Sequence, residues 1–386
     1  MNPAAEGEQA IIRPVRAEVD LARIRHNTRY LKTLIPRECR FMAVVKANAY
    51  GHGALEVSRA ALQAGADCLG VALLQEAVEL RRGGIGCPIH LLFEIPPSAA
   101  EAALLNEVTC TVYTRELALA LSRAAVELGR TARVNIKVDT GMRRVGVEPG
   151  QAGRFAELIS GLEGLTLEGV CTHFATATEP ENDFTDRQMD LFEAAAEEVE
   201  SVYGRRLIRH AANSAAVLAF PRSHYDMVRV GIAMYGLAPS DALADPELRP
   251  ALSLVGEVSF VKKVGRGEGI SYGLEYAPGS DTLIGTLPLG YADGFTRLLS
   301  GRADVIINGR RRPVVGVICM DMCMVELGDG DVAAGAPAVI IGRQGGEEIT
   351  VDEIALALGT INYEILCMIS SRVPRIYIDS ELKESR

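Results

Sequence analysis

The stretch Ala43-Val44-Val45-Lys46-Ala47-Asn48-Ala49-Tyr50-Gly51-His52-Gly53 decides how this chain reads. The apolar run Phe41–Val45 has the composition of a buried strand, and Gly51-His52-Gly53 lets the backbone leave it sharply. One lysine, Lys46, stands at the junction. Lysine is rarely buried without a partner, so a lysine here points to chemistry. The plainer reading is a strand-end lysine whose methylene stem follows the core while its ammonium reaches water. The stretch alone leaves both readings open.

Outward from it, short apolar runs alternate with amphipathic ones. The predicted strands are Phe41–Val45, Cys68–Leu73, Ile89–Phe93, Val108–Tyr113, Arg133–Val138, Leu167–His173, Leu207–Ala212 and Met227–Val230. Helical patterns lie between them at Leu55–Ala64, Leu74–Arg82, Glu116–Leu128, Ala152–Leu162 and Thr185–Val202. Eight strands alternating with helices over about 210 residues is the count and size of an α/β (β/α)8 TIM barrel. A doubly wound sheet is the competitor, but no Gly-x-Gly-x-x-Gly follows the first strand.

The pattern changes near Asp241–Pro250, which reads as a linker. Beyond it come short β runs: Glu257–Val264, Thr282–Leu287, Ala303–Asn308, Pro313–Val317, Cys323–Leu327 and Ala338–Ile341. Asn308-Gly309 between two runs is a hairpin signal. A helix at Val351–Leu358 interrupts the series and Arg375–Asp379 closes it. The expected division is a barrel over 14–245 and a mostly β domain over 246–386, joined by residues 1–13.

The length of 386 residues suits two domains, and 48% hydrophobic with 23% charged residues is ordinary globular composition. A net charge of −10 argues against nucleic acid or an anionic membrane as partner. No apolar run approaches the roughly 18 residues of a membrane span. Met1–Gln9 is polar and acidic, without the apolar core of a signal peptide, which points to the cytoplasm. The eight cysteines are scattered and several sit in apolar runs, as reduced buried thiols do. No metal site is expected from their spacing or from that of the histidines.

In a barrel the functional groups belong at the C-terminal strand ends. Those ends carry Lys46, Lys137, Asp139, Arg144, His173, Asn213-Ser214, Arg229 and Gly231-Ile232. One charged strand end is ordinary rim, whereas a lysine, a histidine and an arginine converging on one mouth form a site. Asn213-Ser214 reads equally as a plain helix N-cap or as a phosphate site near the last strands.

With these residues the chain resembles the alanine racemases, a pyridoxal-phosphate family built as a barrel plus a β domain. The matching motifs are Ala43–Gly53, Lys137-Val138-Asp139-Thr140-Gly141-Met142, Gly169-Val170-Cys171-Thr172-His173-Phe174 and Arg229-Val230-Gly231. Further along come Ile270-Ser271-Tyr272-Gly273, Gly290-Tyr291-Ala292-Asp293-Gly294, Cys319-Met320-Asp321, Ile361-Asn362-Tyr363-Glu364 and Arg372-Val373-Pro374-Arg375. Any one motif would be weak. Their order along nearly the whole chain is specific.

The resemblance implies interconversion of L- and D-alanine by two-base proton transfer on a pyridoxal 5'-phosphate aldimine, which supplies D-alanine for peptidoglycan. It makes Lys46 the Schiff-base lysine, whose amine must also be neutral when free to take up a proton. Bringing a lysine from about 10.4 to near neutrality takes roughly 4 kcal/mol of burial or nearby positive charge. Tyr272 is the implied second base, contributed by a partner subunit; otherwise it reads as a half-buried tyrosine in a glycine-rich turn. His173 and Arg229 link Tyr272 to the cofactor ring. Arg229 faces the pyridine nitrogen, and a guanidinium, having only donors, leaves that nitrogen unprotonated. Tyr50, Ser214, the Gly231-Ile232 amides and Tyr363 hold the phosphate. Arg144 lies near the phenolic oxygen and the substrate carboxylate, paired with Lys137, which is often carbamylated. Met320 offers an amide to the substrate, and Tyr291 with Tyr363 narrows the entrance. A site completed by another chain's Tyr272 and Tyr291 implies a head-to-tail homodimer.

Three positions depart from the family pattern: Thr178 for a common aspartate, Val317 for a common arginine, and Met322 for a common glutamine. The first two imply a less polar entrance open to larger amino acids, as in a broader-specificity racemase. A related decarboxylase is the other alternative, but that family should place a carboxylate where Arg229 stands. A single-barrel pyridoxal-phosphate binding protein would need neither the second domain nor Tyr272.

Overall fold

A computed structural model describes residues 13–329 and 331–380 of the chain. The Met1–Gln9 segment lies outside them. Two compact units share these residues: 20–251 with 379–380, and 13–19 with 252–378.

The first unit is the barrel. Its strands, numbered after an N-terminal strand β1 (Arg16–Asp20), are β2 (Arg40–Val44), β3 (Cys68–Val71), β4 (Ile89–Leu91), β5 (Val108–Val112), β6 (Ala132–Lys137), β7 (Leu165–Cys171), β8 (Ile208–His210) and β9 (Met227–Val230). They form one parallel eight-stranded sheet in chain order, with β9 returning to β2 through Arg40↔Met227 to Ala43↔Val230. Between β8 and β9 the chain is joined by Asp226 N to Arg209 O (3.1 Å) and Arg229 N to Ala212 O (2.9 Å). Phe41, Leu69, Ile89, Leu91, Val134 and Ile136 are fully buried. All eight predicted strands form. His173, expected to end the sixth, lies two positions beyond the close of β7 at Cys171.

Helices Leu21–Thr33 and Ala100–Leu105 were not expected. The first starts where Asp20 accepts from the Ala22 amide at 3.0 Å, forming its N-cap. Arg23, Arg25, His26, Asn27, Arg29 and Lys32 crowd this helix, so its apolar stripe does not stand out in the sequence.

The second unit is an antiparallel β structure. Its strands are β10 (Leu252–Glu257), β11 (Phe260–Val264), β12 (Thr282–Leu287), β13 (Asp304–Ile307), β14 (Arg310–Val315), β15 (Cys323–Gly328), β16 (Pro337–Gln344), β17 (Glu347–Ile349) and β18 (Arg375–Ile378). The sheet order is β11-β12-β15-β14-β13-β16-β10-β1-β18, with β17 on β16. Asn308-Gly309 makes the two-residue hairpin, with φ of +53° and +69° and Ile307 opposite Arg310.

The predicted run Glu257–Val264 is β11 with the corner before it, and β10 (Leu252–Glu257), which ends where that run begins, was not expected. β10 pairs with β16, then Val258 N bonds Ala336 O (3.0 Å) and Ser259 N bonds Thr286 O (2.8 Å), so the chain changes partner at this corner. β1 belongs here rather than to a barrel starting at 14: Arg16–Val19 pair antiparallel with Val255–Leu252. The units meet the chain at 19/20 and 251/252, compared with the expected 13/14 and 245/246. All eight cysteines are free. No helix among the described residues is long and apolar enough to cross a membrane.

Candidate active site

Lys46 follows β2 directly, and the five residues Lys46–Tyr50 make one turn of the wrong hand. Ala47, Asn48 and Ala49 have φ/ψ near +51/+52, +52/+46 and +54/+53, and Tyr50 has φ +52. None is glycine, and each L-residue in this conformation costs roughly 1–2 kcal/mol. Such strain persists only where the surroundings impose it, and it collects at functional sites. Ala49 N bonds Val45 O (2.9 Å), and Gly51, in the left-handed region at φ +80°, closes the turn onto Ala47 O (3.0 Å).

Arg229, on β9, is 7% exposed and ringed by acceptors. Nη1 donates to the His210 carbonyl (2.7 Å), and Nη2 to the carbonyls of Thr172 (2.7 Å) and Ala211 (2.9 Å). Nη1 also meets His210 Nδ1 at 3.2 Å and Nη2 meets His173 Nδ1 at 3.3 Å. Arginine has only donors, so both imidazoles accept at Nδ1 and carry their proton on Nε2. Burial holds both rings well below the usual histidine range. For His173 the positive charges of Arg229, Lys137, Arg144 and Lys46 add to it. The four cations and His173 therefore share one region of the barrel.

Lys137 ends β6 at 7% exposure, with Nζ 3.4 Å from the Leu92 carbonyl and 4.9 Å from the Phe93 ring centroid. Arg144 approaches the same ring at 5.0 Å. Among the described residues no carboxylate forms an ion pair with Lys137, Arg144 or Arg229.

Past β8, Asn213 caps helix Ser214–Ala219 by accepting from Ala216 N (3.0 Å). The Ser214 hydroxyl accepts from the amides of Gly231 (2.9 Å) and Ala233 (3.3 Å). Tyr50 closes on the same spot: a Cβ on Gly231 would lie 2.5 Å from Tyr50 Oη, so a side chain there would have to displace the Tyr50 hydroxyl. Ile232 opens the following 3-10 turn.

The β domain carries the other expected residues. Tyr272 is 71% exposed on a loop closed by the Ile270–Tyr276 bridge. The Ser271 hydroxyl anchors that loop to Val317 O at 2.6 Å. A groove lined by Ile270, Ser271, Tyr272, Met320, Met322 and Met324 runs beside it. Tyr291 N bonds Cys319 O (3.0 Å) and Ala292 N bonds Met320 O (3.1 Å), so Tyr291 and Met320 sit on adjoining loops. Buried Asp293 holds this turn by accepting from Gly290 N (3.0 Å) and from Arg13 Nη1 and Nη2 (2.6 Å each). Tyr363 lies in helix Asn362–Met368.

Residue matches agree with this geometry. The alanine racemase N-terminal domain model matches residues 19–239 and the C-terminal domain model matches 251–377. The chain belongs to the alanine racemase family. It is 50% identical over 368 residues to an alanine racemase of Symbiobacterium thermophilum, covering 95% of this chain and 97% of that one. The alanine racemase of Bacillus anthracis, solved with bound L-Ala-P, has a TM-score of 0.90 at 42% identity over 95% of each chain. The enzyme from D-cycloserine-producing Streptomyces lavendulae has a TM-score of 0.91 at 39% identity, over 95% of this chain and 97% of that one.

Alanine racemases depend on pyridoxal phosphate, and the barrel mouth fits that group. Hydroxyls of Tyr50 and Ser214 and a glycine whose Cβ would displace the Tyr50 hydroxyl form a neutral cradle suited to a phosphate. Lys137 and Arg144, without carboxylate partners among the described residues, suit anionic oxygens. His210 and Phe93 joined the site unannounced by the sequence. The signal for His210 was a histidine inside an apolar predicted strand, just ahead of Asn213-Ser214.

Proposed function

We propose that this protein is a cytoplasmic alanine racemase that interconverts L- and D-alanine and supplies D-alanine for peptidoglycan. Bound pyridoxal phosphate supplies the electron sink that makes the substrate Cα–H acidic. Lys46 anchors the group, and its Nζ exchanges a proton with Cα on one face. Tyr272 Oη, from a second copy of the chain, does so on the other face; a lone base would return its proton to the face it came from. His173 and Arg229 connect Tyr272 to the ring. Tyr50, Asn213, Ser214, Gly231, Ile232 and Tyr363 hold the phosphate end. Arg144, supported by Lys137, and the Met320 amide receive the alanine carboxylate, while Tyr291 narrows the entrance.

The observation that carries this reading is Arg229. Its Nη1 and Nη2 groups donate to three backbone carbonyls and two imidazole lone pairs, and no carboxylate pairs with it among the described residues. A guanidinium so held cannot give up or accept a proton at the ring nitrogen. Placed beside the ring nitrogen of bound pyridoxal phosphate, Arg229 would leave that nitrogen unprotonated and the sink weak enough to avoid side reactions. Chiral analysis of L-alanine incubated with the protein and pyridoxal phosphate tests the activity; failure of D-alanine to accumulate overturns it. Borohydride reduction should leave the cofactor on Lys46, and an adduct elsewhere contradicts the anchor.

A further inference from the structure

The left-handed turn after Lys46 has no glycine between Lys46 and Tyr50, so its conformation is imposed from outside. Glu76 lies in the first turn of helix Leu74–Arg82, where the helix favours a negative charge. Its Oε2 accepts from the amides of Ala72 (2.8 Å) and Leu73 (3.0 Å), at the end of the loop after β3. Its Oε1 accepts from the amide of Ala47 at 2.5 Å. One carboxylate thus spans two neighbouring loops, whose strands pair from Met42↔Cys68 to Val44↔Gly70. On the far side of the turn, Asn48 Oδ1 accepts from Ala54 N at 2.9 Å. Ala47 and Asn48 are therefore held by acceptor and donor groups beyond the turn itself.

We propose that Glu76 is a positioning residue for the reaction: its carboxylate holds the left-handed turn and so aims Lys46 Nζ and Tyr50 Oη at the cofactor. This rests on reading Lys46 as the cofactor lysine. The chemistry requires a carboxylate because both of its oxygens accept. A carboxamide has one accepting and one donating arm, so Glu76→Gln sets an N–H against a backbone N–H at one loop or the other. Glu76→Asp keeps the charge and the helix cap but is one methylene too short to reach both loops.

The test compares wild-type, Glu76→Gln and Glu76→Asp holoenzymes by amide hydrogen exchange, cofactor affinity and kinetics. In both variants exchange across residues 46–53 should quicken at least about tenfold while the other barrel strands stay protected, the loss expected for one charge-assisted hydrogen bond. Pyridoxal phosphate should bind about tenfold more weakly, and kcat should fall about tenfold or more with KM for alanine within roughly twofold. Wild-type exchange and cofactor affinity in both variants would overturn the proposal. So would exchange that rises evenly across the barrel, since that marks a merely structural residue. If the wild type forms no Lys46 adduct, the functional reading fails, while the exchange comparison still decides whether Glu76 holds the turn.

Discussion

Replacing Lys137 by methionine is expected to stabilise the protein near neutral pH in buffer freed of carbon dioxide. Lys137 is 7% exposed and has the Leu92 carbonyl and the Phe93 ring as neighbours, with no carboxylate paired to it among the described residues. Burial lowers its ammonium from 10.5 to about 8; Arg229, Arg144 and Lys46 push the same way and Cys171 opposes. At about 1.4 kcal/mol per unit, holding the charged form costs the fold about 3 kcal/mol. The sign follows from a folded value below the unfolded one. Below about pH 8 both states are protonated and the penalty is full. Between about 8 and 10.5 the folded state has lost its proton while the unfolded chain keeps it, so stability rises with pH and the penalty fades. Lys137→Met keeps an unbranched stem without the charge, so its advantage should be about 3 kcal/mol at pH 7 and near zero at pH 10.5. Urea denaturation of both proteins across that range measures it. Equal stability at pH 7, or an advantage independent of pH, would refute the reasoning.

The same lowering leaves about one Lys137 in ten neutral at pH 7, against roughly one in three thousand for a solvated lysine. The neutral amine can add to the carbon of carbon dioxide and release one proton, giving a carbamate anion for Arg144. At high bicarbonate the intact mass should rise by one carbon dioxide, and Lys137→Ala should abolish the increase; an increase in both proteins places the modification elsewhere.

Gly231→Ala sets a Cβ 2.5 Å from Tyr50 Oη and should weaken pyridoxal-phosphate binding about tenfold, read by titration of the cofactor absorbance; an unchanged affinity contradicts the cradle. Tyr272→Phe should cut kcat roughly a hundredfold; retained activity rules Tyr272 out as a base. Arg229→Glu should let the ring nitrogen be protonated and produce a new long-wavelength absorbance during turnover, and an unchanged spectrum argues against the proposed role. Specific activity should fall on dilution in step with dissociation measured by sedimentation, and a fully active monomer excludes a shared site.

The barrel was legible because its signal is local. Runs such as Phe41–Val45 and Val108–Tyr113 are bounded by turn residues and separated by helical periodicity, and each lies within a strand or two residues of its end in the structure. The Asn308-Gly309 hairpin was legible for the same reason, since both residues tolerate positive φ. The corner at Val258-Ser259 was not, because the apolar pattern continues while the hydrogen-bond partner changes from β16 to β12. β1 was missed because five residues acquire meaning only from β10, far away in the chain.

By itself the sequence determined the alternation of strands and helices, the order of the chemical groups along it and the place of Lys46 at a strand end. Hydrophobic period and turn chemistry act over a few residues, and those properties need nothing more. Only the tertiary structure decided that Lys46 opens a left-handed turn, that the Ala47 amide is taken by Glu76, and that Arg229 faces two imidazoles and three carbonyls. Each depends on groups brought together from separate strands, so the conformation is imposed from a distance against the preference of the local chain.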